Sequence, residues 1–177
     1  MILAESKKKA HIVEYIIFFW QIEDLIRAAQ FNPQVLEKWA EDTANSEGTD
    51  PELEKQWIVS LAADMRSQGK TESGHISSIS ETMVELAHLH EMLLGALDDK
   101  RYKECFEVAE PMIKELSVKQ PGPSGHPVEQ LLVGLYGFLI LRLQKQSISA
   151  ETESGFVAFR NWANALAKGH IQVYYGG

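Results

Sequence analysis

Few residues in this chain could bind or transform a ligand, and those at telling positions are Glu23, Asp24, Arg27, His90 and Arg142. His90 belongs to the series Ile79, Met83, Leu86, His90, Leu93 and Leu97. Its steps of 4, 3, 4, 3 and 4 trace one face of a helix turning about 100° per residue. Glu81, Glu85 and His88 fall on the opposite side, so His90 is expected inside and His88 in water. An imidazole on an apolar stripe is usually a core side chain satisfied by a carbonyl or hydroxyl; its other use is as a ligand or proton carrier. Glu23, Asp24 and Arg27 prolong an apolar face made by Val13, Ile16, Ile17 and Trp20. They read either as a solvated helix end carrying a weak Glu23–Arg27 pair or as charges at the mouth of a buried layer. Arg142 follows Leu132, Leu135 and Leu139 on one stripe. It is either a snorkelling side chain or the partner of Glu23 or Asp24 in a partly buried cluster that fixes packing specificity. These five residues form the candidate ligand-binding set.

Contiguous motifs for catalysis or metal binding are absent. Gly69-Lys70-Thr71 is like the tail of a phosphate-binding loop, but Asp64 stands where glycine is needed and no strand precedes it. His90-Glu91 opens a zinc-protease pattern whose second histidine is replaced by Leu94. Glu85-Leu86-Ala87-His88 has the Glu-x-x-His spacing of di-iron bundles, but no second copy exists and both side chains face outward. His88 and His90 point about 160° apart on a helix and cannot share a metal. No Gly-x-Ser-x-Gly elbow is present. Cys105, in the series Tyr102, Cys105, Ala109, Met112 and Leu116, reads as a small core hydrophobe. No catalytic residue, metal-ligand set or cofactor is assigned, and the sequence leans away from an enzyme.

The elements that must position these residues are helices. The spacing predicts an all-α, irregular bundle of about six to seven helices and no alternating strand. Helices are expected over 6–30, 33–43, 51–68, 78–97, from 99 onward, over 127–146 and over 149–168. The third has Asp50 as N-cap, Pro51 at the first helical position and Gly69 as its stop. Pro111 should kink or break the fifth. Residues 120–125, Gln-Pro-Gly-Pro-Ser-Gly, read as a loop. Residues 172–177 should form a loose tail on a single domain over 1–177. The candidate site would then lie between the first, fourth and sixth expected helices. Gly134 and Gly137, on the far side of the sixth, would let another helix approach.

At 177 residues, 45% hydrophobic and 24% charged, the chain has the composition of a globular domain with a real core. A net charge of -8 argues against nucleic acid as partner. Lys7-Lys8-Lys9 is a single basic turn rather than a binding groove. The apolar runs 12–22 and 131–141 fall short of the ~20 residues that cross a bilayer, so no membrane span is expected. Glu14 interrupts the first run, which is therefore no signal peptide. One cysteine, Cys105, suits a reducing cytoplasm.

Tyr15 and the segment Trp20-Gln21-Ile22-Glu23-Asp24-Leu25-Ile26-Arg27-Ala28 resemble the N-terminal signature of an all-helical Bacteroidetes family catalogued as a domain of unknown function. Gly74-His75, Leu89-His90, Leu93-Leu94, Leu135-Tyr136-Gly137, Leu141-Arg142-Leu143-Gln144 and Ile148-Ser149-Ala150-Glu151-Thr152 extend the likeness over most of the chain. The resemblance implies an all-helical cytoplasmic protein and carries no activity, ligand or catalytic residue with it. The expected role is a non-enzymatic helical interaction protein, self-associating or binding another protein. Its motive is the first helix, apolar on two sides, in a chain with four Trp, five Tyr and seven Phe. The alternative is a bundle that binds a small ligand or a metal through Glu23, Asp24, Arg27, His90 and Arg142, and that includes the case of an enzyme.

Overall fold

The computed structural model describes residues 2–119 and 125–176, which form eight α-helices and no strand. They are α1 (Ile2–Ala10), α2 (Ile12–Ala28), α3 (Pro33–Glu47), α4 (Pro51–Ser67), α5 (Ser77–Leu94), α6 (Lys100–Lys119), α7 (Pro127–Leu143) and α8 (Ala150–Tyr175). The all-helical class read from periodicity is the observed one.

Local chemistry sets most of the helix ends. The Asn32 side chain accepts from the N–H groups of Gln34 (3.0 Å) and Val35 (3.5 Å), with Pro33 opening α3. Asp50 and Pro51 start α4 in the same way, Asp50 accepting from Glu52 N–H at 2.9 Å. Past the end of α4, Gly69 takes a φ of +67°, the left-handed stop that glycine adopts without a Cβ penalty. The His126 ring caps α7, its Nδ1 accepting from Val128 N–H at 3.2 Å, and Ser149 caps α8 through Thr152 N–H.

The chain divides into two compact units. One consists of Glu14–Glu81 and the residues up to Lys9; the other holds Ala10–Val13 and everything from Thr82 onward. In the first, α3 and α4 pair as a helical hairpin, with Leu36, Ala40, Ala44, Ile58, Leu61 and Met65 buried. Phe18 of α2 stacks on Trp57 of α4 at 6.1 Å and 11°. In the second, α6, α7 and α8 pack on one another, with Tyr102, Ala109, Leu131, Leu132, Phe159, Trp162 and Leu166 inside.

Several boundaries differ from those read in the sequence. The helix expected over 6–30 is two, α1 and α2, parted at His11, whose Nε2 lies 3.0 Å from Asn164 Oδ1. Helix α6 runs through Pro111 to Lys119 without a break. Proline removes one N–H from the ladder, and the flanking turns are tied inward by buried Ala109 and Ile113. Residues 172–175, expected in a loose tail, are the last turn of α8, which Gly176 closes at φ +66°. Of the expected loop, residues 120–124 lie outside the described residues. The two apolar sides of α2 are largely covered: Ile12, Val13, Tyr15, Ile16, Phe19, Trp20, Ile22 and Ile26 are buried, while Ile17, Phe18 and Leu25 are half-buried.

Candidate functional site

Three of the five candidate residues meet in the first unit. Glu23 is fully buried. Its Oε1 accepts from Ile76 N–H at 2.9 Å, and its Oε2 lies 2.5 Å from His75 Nδ1. The His75 ring stacks on Trp20 at 4.5 Å and 6°. Arg27 donates to the carbonyls of Lys70 (3.3 Å) and Gly74, and pairs with Asp24 at 2.9 Å. The expected Glu23–Arg27 pair is thus replaced by an i,i+3 pair with Asp24. Apart from the Asp24 pair, which lies within α2, these bonds hold one object, the connection from α4 to α5.

The reason lies in the sequence of that connection. Helix α5 follows Ile76, whose side chain can accept no hydrogen bond, so the first N–H groups have no local cap. Glu23 supplies an acceptor to Ile76 N–H from α2, and Gln68 Oε1 accepts from Ser77 N–H at 2.7 Å. A carboxylate at this end also complements the positive end of the helix dipole. A carboxylate orienting an imidazole is a possible acid–base couple, but here both Glu23 oxygens are spent on holding the connection.

His90 and Arg142 belong to the second unit and have other partners. His90 is 1% exposed, with Nδ1 2.6 Å from the Tyr102 hydroxyl. Phe106, His126, Trp162 and Tyr102 surround its ring with centroids 4.8 to 5.7 Å away. Burial pushes the His90 imidazole down to about 4; His126 adds to the effect and Glu91 opposes it. Burial also drives the Tyr102 hydroxyl above its usual range. His90 is therefore a neutral core residue near pH 7, satisfied by a hydroxyl, while His88 is exposed as the wheel predicts. Arg142 lies over the rings of Phe138 (4.7 Å) and Phe156 (5.5 Å), with Glu153 at 3.8 Å. It is half-exposed on an aromatic shelf, which is the snorkelling arrangement.

Two open concavities of the second unit are lined by described residues other than these five. The larger, about 630 Å3, lies between the first turns of α6 and the last turns of α8. Asp99, Arg101, Tyr102 and Cys105 form its α6 wall. Asn161, Asn164, Lys168 and Gln172 form the other, at steps of 3, 4 and 4 along one stripe of α8. Cys105 is thus half-buried in the groove wall rather than a core hydrophobe. In the sequence the α8 stripe looks like any solvated face, and nothing local reveals that α6 stands opposite. The smaller concavity, about 480 Å3, lies among α6, α7 and α8, with Glu115, Glu151 and Thr152 among its lining residues. Leu116, Phe138, Leu141, Phe156 and Phe159 line it, with Gly134 and Gly137 of α7. Gly134 admits Phe159, as the small-residue argument requires: a Cβ there would stand 2.3 Å from that ring. Gly137 faces open space, with no atom within 4 Å of a Cβ.

Among the described residues no group of three or more His, Cys, Asp or Glu is placed to hold a metal ion, and no helix is long and apolar enough to cross a membrane. The chain belongs to the family described as a domain of unknown function, DUF4924, whose model matches residues 1–177. No curated protein and no solved structure matches it.

Proposed function

We propose that this chain is a non-enzymatic helical interaction module that associates with a second copy of itself through α7. The carrying observation is that α7 is apolar around its circumference, yet only part of it is covered. Its 17 residues include one acid, Glu129, and one base, Arg142, while Leu141 and Leu143 are 37% and 63% exposed. A helix hydrophobic on all sides is ordinarily buried on all sides. The occupant that fits is a second copy, because knob and hole share one stripe. Leu141 stands one turn beyond the open Gly137 on the groove side of α7. A two-fold axis midway between them sets each Leu141 over the other copy's Gly137, the self-complementary contact of an isologous dimer. The commitment of Glu23 to the α4–α5 connection, and of His90 to a buried aromatic cluster, supports a binding role over catalysis. The single Cys105 and the resemblance to Bacteroidetes sequences support a bacterial cytoplasm as its place.

Sedimentation velocity across a concentration series tests this. The mass should rise from 19.9 kDa toward twice that value and stay at one copy in Gly137→Trp and Leu141→Lys. A mass of one copy at every concentration, or association unchanged in both variants, overturns it.

A further inference from the structure

The groove between α6 and α8 has no part in that association, and both of its walls carry polar side chains. Arg101 stands on the α6 wall and Lys168 on the α8 wall, both exposed. Asn161, Asn164 and Gln172 add amide groups. Asn164 is oriented from behind: its Oδ1 faces His11 Nε2 at 3.0 Å, which leaves its NH2 as the group that can donate to a guest. The one carboxylate of the walls, Asp99, already accepts from Tyr102 N–H at 2.9 Å as the cap of α6. Donors on these walls therefore outnumber free acceptors, and each wall brings one cation to a space far larger than a bare ion needs. At about 630 Å3 the groove is in the range of sites for small organic molecules, roughly 300–1,000 Å3.

The geometry points to a binding site for a small, polar organic molecule bearing an oxyanion, phosphate or carboxylate, clamped between Arg101 and Lys168. The guanidinium supplies the paired donors that match two oxygens of such a group. Lys168 closes on the same charge from the facing helix, and the amides of Asn161, Asn164 and Gln172 bind the guest's hydroxyls. The phosphate and carboxylate forms share this clamp, so the test separates them by probe.

Cys105, on the groove wall and the one cysteine of the chain, reports occupancy without ambiguity of place. The full chain is titrated with glucose 6-phosphate, citrate and glucose, following heat of binding and the rate of Cys105 alkylation. Glucose 6-phosphate or citrate should bind saturably and slow alkylation, and glucose should do neither; which anion binds more tightly assigns the phosphate or carboxylate form. Arg101→Gln and Lys168→Gln should each weaken binding at least ~10-fold, as loss of a charge-assisted hydrogen bond does. Both sites are exposed, so the variants keep the fold, which circular dichroism checks. The site is refuted if neither anion binds, if glucose binds equally well, if alkylation is unprotected at saturation, or if the Arg101→Gln/Lys168→Gln protein binds as the wild type does.

Discussion

Acidification should destabilise this protein in part through a single side chain. His90 is enclosed by four rings, and burial holds its imidazole at about 4 in the folded chain. In the unfolded chain it titrates near 6.5. Between those values the unfolded state carries a proton that the folded state refuses, so the free energy of unfolding rises with pH across the window and falls on acidification. The gap is worth about 3 kcal/mol, at 1.36 kcal/mol per pH unit, present at pH 7 and lost by about pH 4. Acidification acts on the whole chain, so the measurement must be a difference. His90→Phe alone would leave the Tyr102 hydroxyl buried without its partner, a loss of about 1–3 kcal/mol. The His90→Phe/Tyr102→Phe protein removes both polar groups together. Urea unfolding at pH 7, 6, 5 and 4 should show wild type losing about 3 kcal/mol more than this variant. Identical pH dependence in the two proteins would refute the reasoning. So would an NMR titration placing His90 near 6.5 in the folded protein.

The tie from α2 to the start of α5 predicts that Glu23→Ala destabilises by about 2–3 kcal/mol, the scale of a buried charge-assisted hydrogen bond. It should also abolish slow hydrogen exchange at Ile76 N–H, and an unchanged exchange rate there would mean that Glu23 is not the cap. The glycines of α7 give opposite expectations. Gly134→Ala should lower stability by about 1–3 kcal/mol, because its Cβ meets Phe159 at 2.3 Å. Gly137→Ala should raise the stability of the single copy by about 0.5–1 kcal/mol, since a helical glycine gains from a side chain where space is open. Chemical denaturation at dilution separates the two, and equal responses would contradict the packing described for α7.

What the sequence determined by itself is whatever rests on neighbours in the chain. Helical periodicity, the Asp50 cap, the Pro51 start and the Gly69 stop depend on residues within a turn of one another. The same local geometry placed His90 inside and His88 outside. Tertiary structure decided everything that depends on which stripe meets which. Glu23 became the acceptor for Ile76 N–H, 53 residues later at the start of α5, a bond no wheel could show because Ile76 offers no signal of its own. His75 joined it from a connection, where periodicity has no force. The five candidate residues, alike in sitting where charge meets an apolar stripe, divided between two units, because a stripe states that a side chain faces something without stating what. The groove walls of α6 and α8 are the converse case: each is an ordinary polar face alone, and only their apposition turns Arg101 and Lys168 toward a shared space.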